Sequence, residues 1–261
     1  MYDLHMHSTV SFDGQSKAAD MAAAAAAAGL KEICFTDHID YCRNDPANTM
    51  VFSTEAYNAA YDGLELPGLT IRKGLEFGLL DWNKDLFKKD LARRHFDFVL
   101  GSIHFVDDLD VYLEEYWDGK TVEEAERRYL ETTLEMVRLH DDFDVLAHLT
   151  YLTKARAHPA RRLIEYSSYR ELIDAILQTL VRKGKGLEMN TSGVDRAGGF
   201  LPTADYFRRF KELGGEIVTV GSDAHDCSRV GQYCGDACAV LAGIFGYVCT
   251  FEDRRPVFHK L

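Results

Sequence analysis

Two histidines two residues apart open the chain, in Asp3-Leu4-His5-Met6-His7-Ser8, and Asp13 follows closely. In an extended strand, side chains i and i+2 leave on the same face, so His5 and His7 stand side by side as a metal ion requires. Matching groups recur wherever a short apolar run stops: Asp37 and His38, Glu76 in Gly74-Leu75-Glu76, His104 after Ser102-Ile103, His148 after Leu146-Ala147, and Asp223 and His225 after Gly221-Ser222. Six of the ten histidines occupy such ends; His95 and His140 close helical stretches, His158 precedes a proline and His259 lies in the tail. Taken singly, a histidine at a strand end is more often a hydrogen-bonded structural residue than a ligand. Taken jointly, this mixture of nitrogen and carboxylate donors suits Zn, Mn or Fe better than Mg or Ca, which favour oxygen shells. The donors are too many for one ion, so two or three divalent ions sharing a bridging carboxylate are expected.

Such donors converge only if the intervening elements carry them to one place. Apolar strands are expected in the opening stretch 3–8 and over 32–36, 69–78, 96–103, 143–149, 186–191 and 216–221. Helices are expected over 17–28, 54–63, 81–94, 121–140, 168–183 and 203–213. The first helix has a run of seven alanines stopped by Gly29, high helix propensity ended by a glycine. Thr121-Val122-Glu123-Glu124 is a capping box, Ser53 is an N-cap, and 41–52, with Pro46, reads as a loop. Strands without polar alternation, each followed by a helix, predict parallel pairing under a helical layer. Seven such units over residues 1–261 make one barrel domain, a distorted TIM-like (β/α)7 barrel in the α/β class, and 247–260 reads as a hairpin or tail. In such barrels functional groups gather at the C-terminal strand ends, which is where the donors lie.

The 261 residues carry a formal charge of -12 without a basic run, which argues against nonspecific nucleic-acid binding. An acidic chain still accepts an anionic ligand where bound cations reverse the local potential. The start of the chain lacks the pattern of a signal peptide and no apolar run spans a bilayer, so a cytoplasmic protein without membrane partners is expected. The six cysteines show no CxxC pair. They read as reduced, partly buried thiols.

The motifs DLHMHS, FTDH, GLEFG, GSIH, AHL, EMNTSG and GGEIVTVGSDAH, in this order, resemble those of the polymerase and histidinol phosphatase (PHP) superfamily, and most closely its histidinol-phosphate phosphatase branch. The resemblance implies a seven-stranded distorted barrel with a three-metal site at its mouth. It implies one metal held by His5, His7, Glu76 and Asp223, a second held by Glu76, His104 and His148, and a third held by Asp13, His38 and His225. The reaction it implies is hydrolysis of a small phosphorylated metabolite, L-histidinol phosphate, by water activated at the metals, with Glu76, Asp223 and His225 as catalytic groups. Phosphate contacts fall to Arg156 and Arg196 on mouth loops; Arg161, Arg162 and Arg229 read as solvated surface.

Asp37 is expected to orient a ligand histidine through its free ring nitrogen. Asn190 and Ser192 are candidate pocket-lining groups, and Tyr41, Tyr151 and Phe105 are candidate covers for an imidazole. An amidohydrolase also begins with HxH but places a metal-bridging lysine on its fourth strand, where this chain has Gly101-Ser102-Ile103-His104. Another phosphomonoester, a small phosphodiester, and a metal-binding protein without turnover are the remaining alternatives.

Overall fold

Strand β3, Thr70–Gly78, shows how this sequence sorts its side chains. Leu75 and Phe77 face the helical layer, where Phe77 stacks on Phe87 at 3.9 Å, and Glu76 between them turns to the barrel interior. The computed structural model describes all residues except 44–49, 156 and 161. Within it β3 is flanked in parallel by β2 (Glu32–Phe35) and β4 (Phe98–Ser102). The series continues from β1 (Tyr2–Met6) at one end to β5 (Val145–Leu146), β6 (Gly186–Asn190) and β7 (Val218–Gly221) at the other. Beyond β7 the chain returns to β1: the Asp223 N–H donates to the His5 carbonyl at 2.7 Å and the His7 N–H to the Ala224 carbonyl at 2.8 Å. The seven parallel strands thus form a nearly closed barrel, as the strand–helix alternation predicts.

Two local departures bear on the site. The expected strand over 143–149 is reduced to Val145–Leu146. His148 leaves the ladder at φ +21°, a backbone region that L-residues rarely occupy, and its carbonyl accepts from the Tyr151 N–H at 2.6 Å. Part of the expected loop over 41–52 is strand: Met50–Val51 pairs with His38–Asp40, which in turn lies along β3 with His38 opposite Glu76.

The six expected helices form where the sequence marks them, and a further one, Cys234–Ile244, has no counterpart among them. Ser53 accepts from the Ala56 N–H at 3.0 Å at the start of Thr54–Tyr61. Thr121 and Glu124 close the capping box of Val122–Leu139, worth about 1 kcal/mol. Among the described residues, no helix is long and apolar enough to cross a membrane.

The far end of the barrel is plugged. Leu4, Cys34, Phe98, Leu100, Val145 and Ala147 form a separate buried cluster with Phe251, which comes from the antiparallel hairpin Tyr247–Glu252 and Arg255–Lys260. Burying one phenylalanine contributes about 1.5–3 kcal/mol. The Arg254 guanidinium at the hairpin turn donates to the Asp144 carboxylate and the Asp142 carbonyl. The hairpin thus covers the end of the barrel opposite the histidines.

Candidate metal centre at the barrel mouth

Glu76 stands at the centre of the mouth, fully buried, with both oxygens surrounded by imidazoles. Its Oε1 lies 2.7 Å from His148 Nε2 and 3.2 Å from His104 Nε2, and it accepts from the Ser102 hydroxyl at 2.6 Å. Its Oε2 lies 3.0 Å from His5 Nε2, 3.3 Å from His7 Nε2 and 3.2 Å from His38 Nδ1. One carboxylate therefore faces two separate donor groups, the geometry a bridging ligand needs. Asp223 turns Oδ1 toward His7 at 3.4 Å and His5 at 3.7 Å. Asp13 Oδ2 lies 2.9 Å from His225 Nε2 and 3.7 Å from His38 Nε2, and the His7 ring stacks against both His38 and His225, 4.2 Å from each. The structure brings together all nine residues expected to bind metal.

Two observations suit these residues to metal ions. His7 Nε2 and His38 Nδ1 are buried beside carboxylate oxygens at 3.2–3.4 Å yet make no aligned hydrogen bond, so a metal ion would take up these nitrogens without breaking one. Four sets drawn from this cluster each bring ligand atoms within 4.8 Å of one another: His7, Asp13, His38 and His225; His5, Glu76 and His148; His5, His7 and Asp223; His38, Asp40 and His104.

The electrostatics agree. Burial alone would raise Glu76, but the imidazoles of His5, His38 and His104 hold its carboxyl well below the usual range. Burial likewise opposes ionisation of Asp223, and Lys154 and His5 overcome it, so its carboxyl is also depressed. His38, despite desolvation, is pushed up to about 9 by Glu76, Asp40 and Asp13. His7 moves the other way, lowered by burial and by the neighbouring His225 and His38. A buried acid cluster with so many imidazoles retains protons that metal ions would displace.

The groups that aim these rings were not legible from the motifs. Glu188, inward-facing on β6, takes His5 Nδ1 at 2.7 Å with one oxygen and accepts the His148 N–H at 2.8 Å with the other. Asp40 contacts His104 Nδ1 at 3.1 Å through both oxygens and His38 Nδ1 at 3.3 Å; its carboxyl is lowered to about 2, the two imidazoles outweighing burial. Two glycines make these approaches possible. A Cβ on Gly78 would lie 1.8 Å from Asp40 Oδ1, and one on Gly221 would lie 2.3 Å from His5 Cβ and 2.4 Å from Glu188 Oε1. The repetition of Gly-Leu-Glu at 74–76 and 186–188 is the sequence signal that marks Glu188.

Asp37 does not meet its expectation. Its carboxylate accepts from the Ser8 N–H at 2.8 Å, from the Ser11 N–H and hydroxyl at 3.2 and 3.0 Å, and from Tyr61 Oη. It reaches a histidine only through Ser11, whose hydroxyl lies 3.2 Å from His7 Nδ1. The reason is direction: along the chain, Asp37 points to the opposite side from His38.

Over this cluster of donors lies a cavity of about 460 Å³ whose lining includes Phe12, Asp13, Tyr112, Tyr151, Lys154, Ser192, Arg196, Asp223, His225 and Arg229. Arg196 is there as expected, donating to Tyr112 Oη at 2.6 Å. Arg229, read as surface, lines the cavity too and pairs with Asp195 at 2.7 Å. Arg162 instead pairs with Glu123 and Glu126, and Arg156 and Arg161 lie outside the described residues. Ser192 lines the cavity, and Asn190 supports it, accepting its hydroxyl at 2.6 Å. Tyr151 packs on His104 and His148. Tyr41, by contrast, donates to Asp90 at 2.7 Å outside the barrel. Phe105 lines an adjoining groove of about 740 Å³.

Residues 3–192 match the model of the PHP domain. The chain belongs to the PHP domain family. Within it the chain is 33% identical to a probable histidinol-phosphatase of Thermotoga maritima over 89% of this chain and 87% of that protein. It is 31% identical to a histidinol-phosphatase of Lactococcus lactis over 87% and 85%. The crystal structure of histidinol phosphate phosphatase from L. lactis, complexed with zinc, L-histidinol and phosphate, superposes with a TM-score of 0.90 at 30% identity, covering 98% of both chains. A histidinol phosphatase structure from Listeria monocytogenes, at 17% identity and a TM-score of 0.76, shares the fold.

Proposed function

We propose that this PHP chain is a metal-dependent phosphatase that hydrolyses L-histidinol phosphate to L-histidinol and phosphate, a cytoplasmic step of histidine biosynthesis. The observation that carries this reading is the Glu76 carboxylate, set between five imidazole nitrogens beneath a cavity lined, among the described residues, by Lys154, Arg196 and Arg229. The relatives named histidinol-phosphatase and the ligands of the L. lactis structure support the substrate.

His5, His7, Glu76 and Asp223 would hold one ion, Glu76, His104 and His148 a second, and Asp13, His38 and His225 a third. The donor set suits Zn, Mn or Fe, and zinc is the ion in the L. lactis relative. When bound, such ions activate water and neutralise phosphoryl charge. Glu188, Asp40 and Ser11 fix the ring orientations. Asp223 Oδ1 and His225 Nδ1, 3.6 Å apart, are the groups placed to hold a proton at the rim, and Arg196 and Arg229 orient the anion.

The leaving alcohol extends toward the adjoining groove, where Phe12, Phe52 and Phe105 stand with Asp108, Asp110 and Glu115 and without a lysine or arginine among the described lining residues. That wall accommodates an aromatic ring bearing an ammonium group. The test is phosphate release from L-histidinol phosphate, p-nitrophenyl phosphate and bis(p-nitrophenyl) phosphate by metal-stripped protein refilled with Zn, Mn or Fe. Strong preference for histidinol phosphate supports the assignment; equal weak rates on all three remove it.

A further inference from the structure

We propose that Arg128 is a positioning residue for substrate selection: from the helix Val122–Leu139 it grips the turn of a short hairpin that walls the alcohol side of the site. The inference rests on the phosphatase reading above. The hairpin pairs Phe105–Val106 with Leu109–Asp110 in antiparallel fashion. It starts directly after His104, whose carbonyl accepts from the Val111 N–H at 3.0 Å and so closes its base. Phe105, Asp108, Leu109 and Asp110 all line the groove of about 740 Å³ beside the donor cluster.

Such a hairpin does not hold its own shape. It has two residue pairs, and an isolated two-stranded hairpin is marginal in water. Its turn residues, Asp107 and Asp108, stand at φ +54° and +60°, a left-handed turn that Asn-Gly makes readily and that costs free energy for other L-residues. Val106 is buried and fixes the base; the turn needs a hold from outside. Arg128 supplies it at two points, Nε donating to Asp107 Oδ2 at 3.0 Å and Nη2 to Oδ1 at 2.6 Å. Its Nη1 donates to Glu135 Oε1, two turns along the same helix, at 3.2 Å. On the other side Arg43 reaches Asp108 with one nitrogen at 3.4 Å.

The contact sets direction more than stability. The Arg128 side chain is 34% exposed and that of Asp107 53%, and a pair so open to water adds little to the stability of the whole chain. A guanidinium that meets both carboxylate oxygens nevertheless fixes orientation as well as distance, and the helix behind it is the one closed by a capping box. Asp108 is the next residue along, so its place on the groove wall follows from that of Asp107.

The test is calorimetric titration of L-histidinol, and separately of inorganic phosphate, into zinc-refilled wild type, Arg128→Met, Arg128→Lys, Asp107→Asn and the double variant, with zinc per chain and thermal melting measured on each. Arg128→Met should weaken L-histidinol binding by about three- to tenfold, with phosphate affinity and zinc content unchanged. Arg128→Lys should recover part of that loss. The double variant should bind no more weakly than Arg128→Met alone, because both changes remove one contact. In steady state, KM for L-histidinol phosphate should rise more than kcat falls. A smaller change in L-histidinol affinity, whatever happens to melting, would overturn the assignment. So would equal weakening of L-histidinol and phosphate, or loss of zinc, since Arg128 would then act on the donor cluster through His104. A wild type that binds no L-histidinol would overturn it too. Arg128-dependent L-histidinol binding without release of phosphate from any monoester would uphold the role of Arg128 and sink the phosphatase reading instead.

Discussion

The molecule has two kinds of histidine–carboxylate cluster, at opposite ends of the barrel. His95, Asp97 and Asp253 come within ligand distance of one another before β4 and at the hairpin turn, with His95 Nε2 2.9 Å from Asp253. Their residue types match those of the mouth. The surroundings differ: His95 is 61% and Asp253 70% exposed, whereas His5 and Glu76 are fully buried. Water solvates the outer charges, so their pairing gains little. At the mouth, desolvation compels every charge to find a partner, and Glu188 and Asp40 hold the rings in one orientation. Ligand types alone do not make a metal centre; burial and a set of orienting carboxylates do.

The comparison breaks most visibly at Glu76. Glu76→Gln should lower phosphate release by about a thousandfold or more, because the shared ligand of two donor groups is lost, while Asp253→Asn stays within about twofold of wild type; a steady-state assay with equal protein checks both. If the two variants fell alike, the distinction between the clusters would be wrong.

Next in size is the orienting layer. Glu188→Gln should weaken zinc binding by about ten- to a hundredfold. Gly221→Ala should do at least as much, since its Cβ would lie 2.3 Å from that of His5. Competition with a chromophoric chelator measures both. Zinc affinity unchanged in Glu188→Gln would show that the rings need no such support.

Proton occupancy sharpens the contrast further. His38 titrates at about 9 in the folded chain against about 6.5 unfolded, and His5 and His104 are raised in the same direction. The stability these rings contribute to the metal-free protein is complete below about pH 6.5 and is lost as pH rises through about 9. Glu76 and Asp223, depressed on folding, contribute above about pH 4 and lose that contribution on acidification. Thermal melting of metal-free protein should therefore fall between about pH 6.5 and 9.5, while the zinc-loaded form, whose ligand histidines are already neutral, should not follow it. A metal-free Tm that climbs across that window would contradict the assignment.

The smallest effect belongs to the outermost support. Tyr61→Phe removes one donor from Asp37 and should cost about 1 kcal/mol of stability by chemical denaturation, with zinc affinity held. Loss of zinc would mean that Asp37 and Ser11 control His7 more tightly than their contacts indicate.

These regions also show what the sequence makes visible. His5, His7, Glu76, His104, His148 and Asp223 are legible because apolar runs alternate with helices and each donor falls where a run stops, so topology alone delivers them to one mouth. The hairpin was legible as an extra element, yet not as the stopper that puts Phe251 against Phe98. Asp40 and Glu188 were hidden because their roles depend on approaches across the barrel, through gaps left by Gly78 and Gly221. Arg229 was misread because a surface arginine and a cavity-lining one look alike until the loops fold over each other. Asp37, which the sequence places facing away from His38 or beside the site, reaches a ring only through Ser11.

The most direct measurement is zinc bound per chain after stripping, refilling and desalting, for wild type, Glu76→Gln and His95→Ala, by atomic emission. The account predicts two or three ions in wild type and in His95→Ala, and loss of most of them in Glu76→Gln. Full zinc in Glu76→Gln, or zinc that leaves with His95 instead, would contradict a metal centre at the mouth.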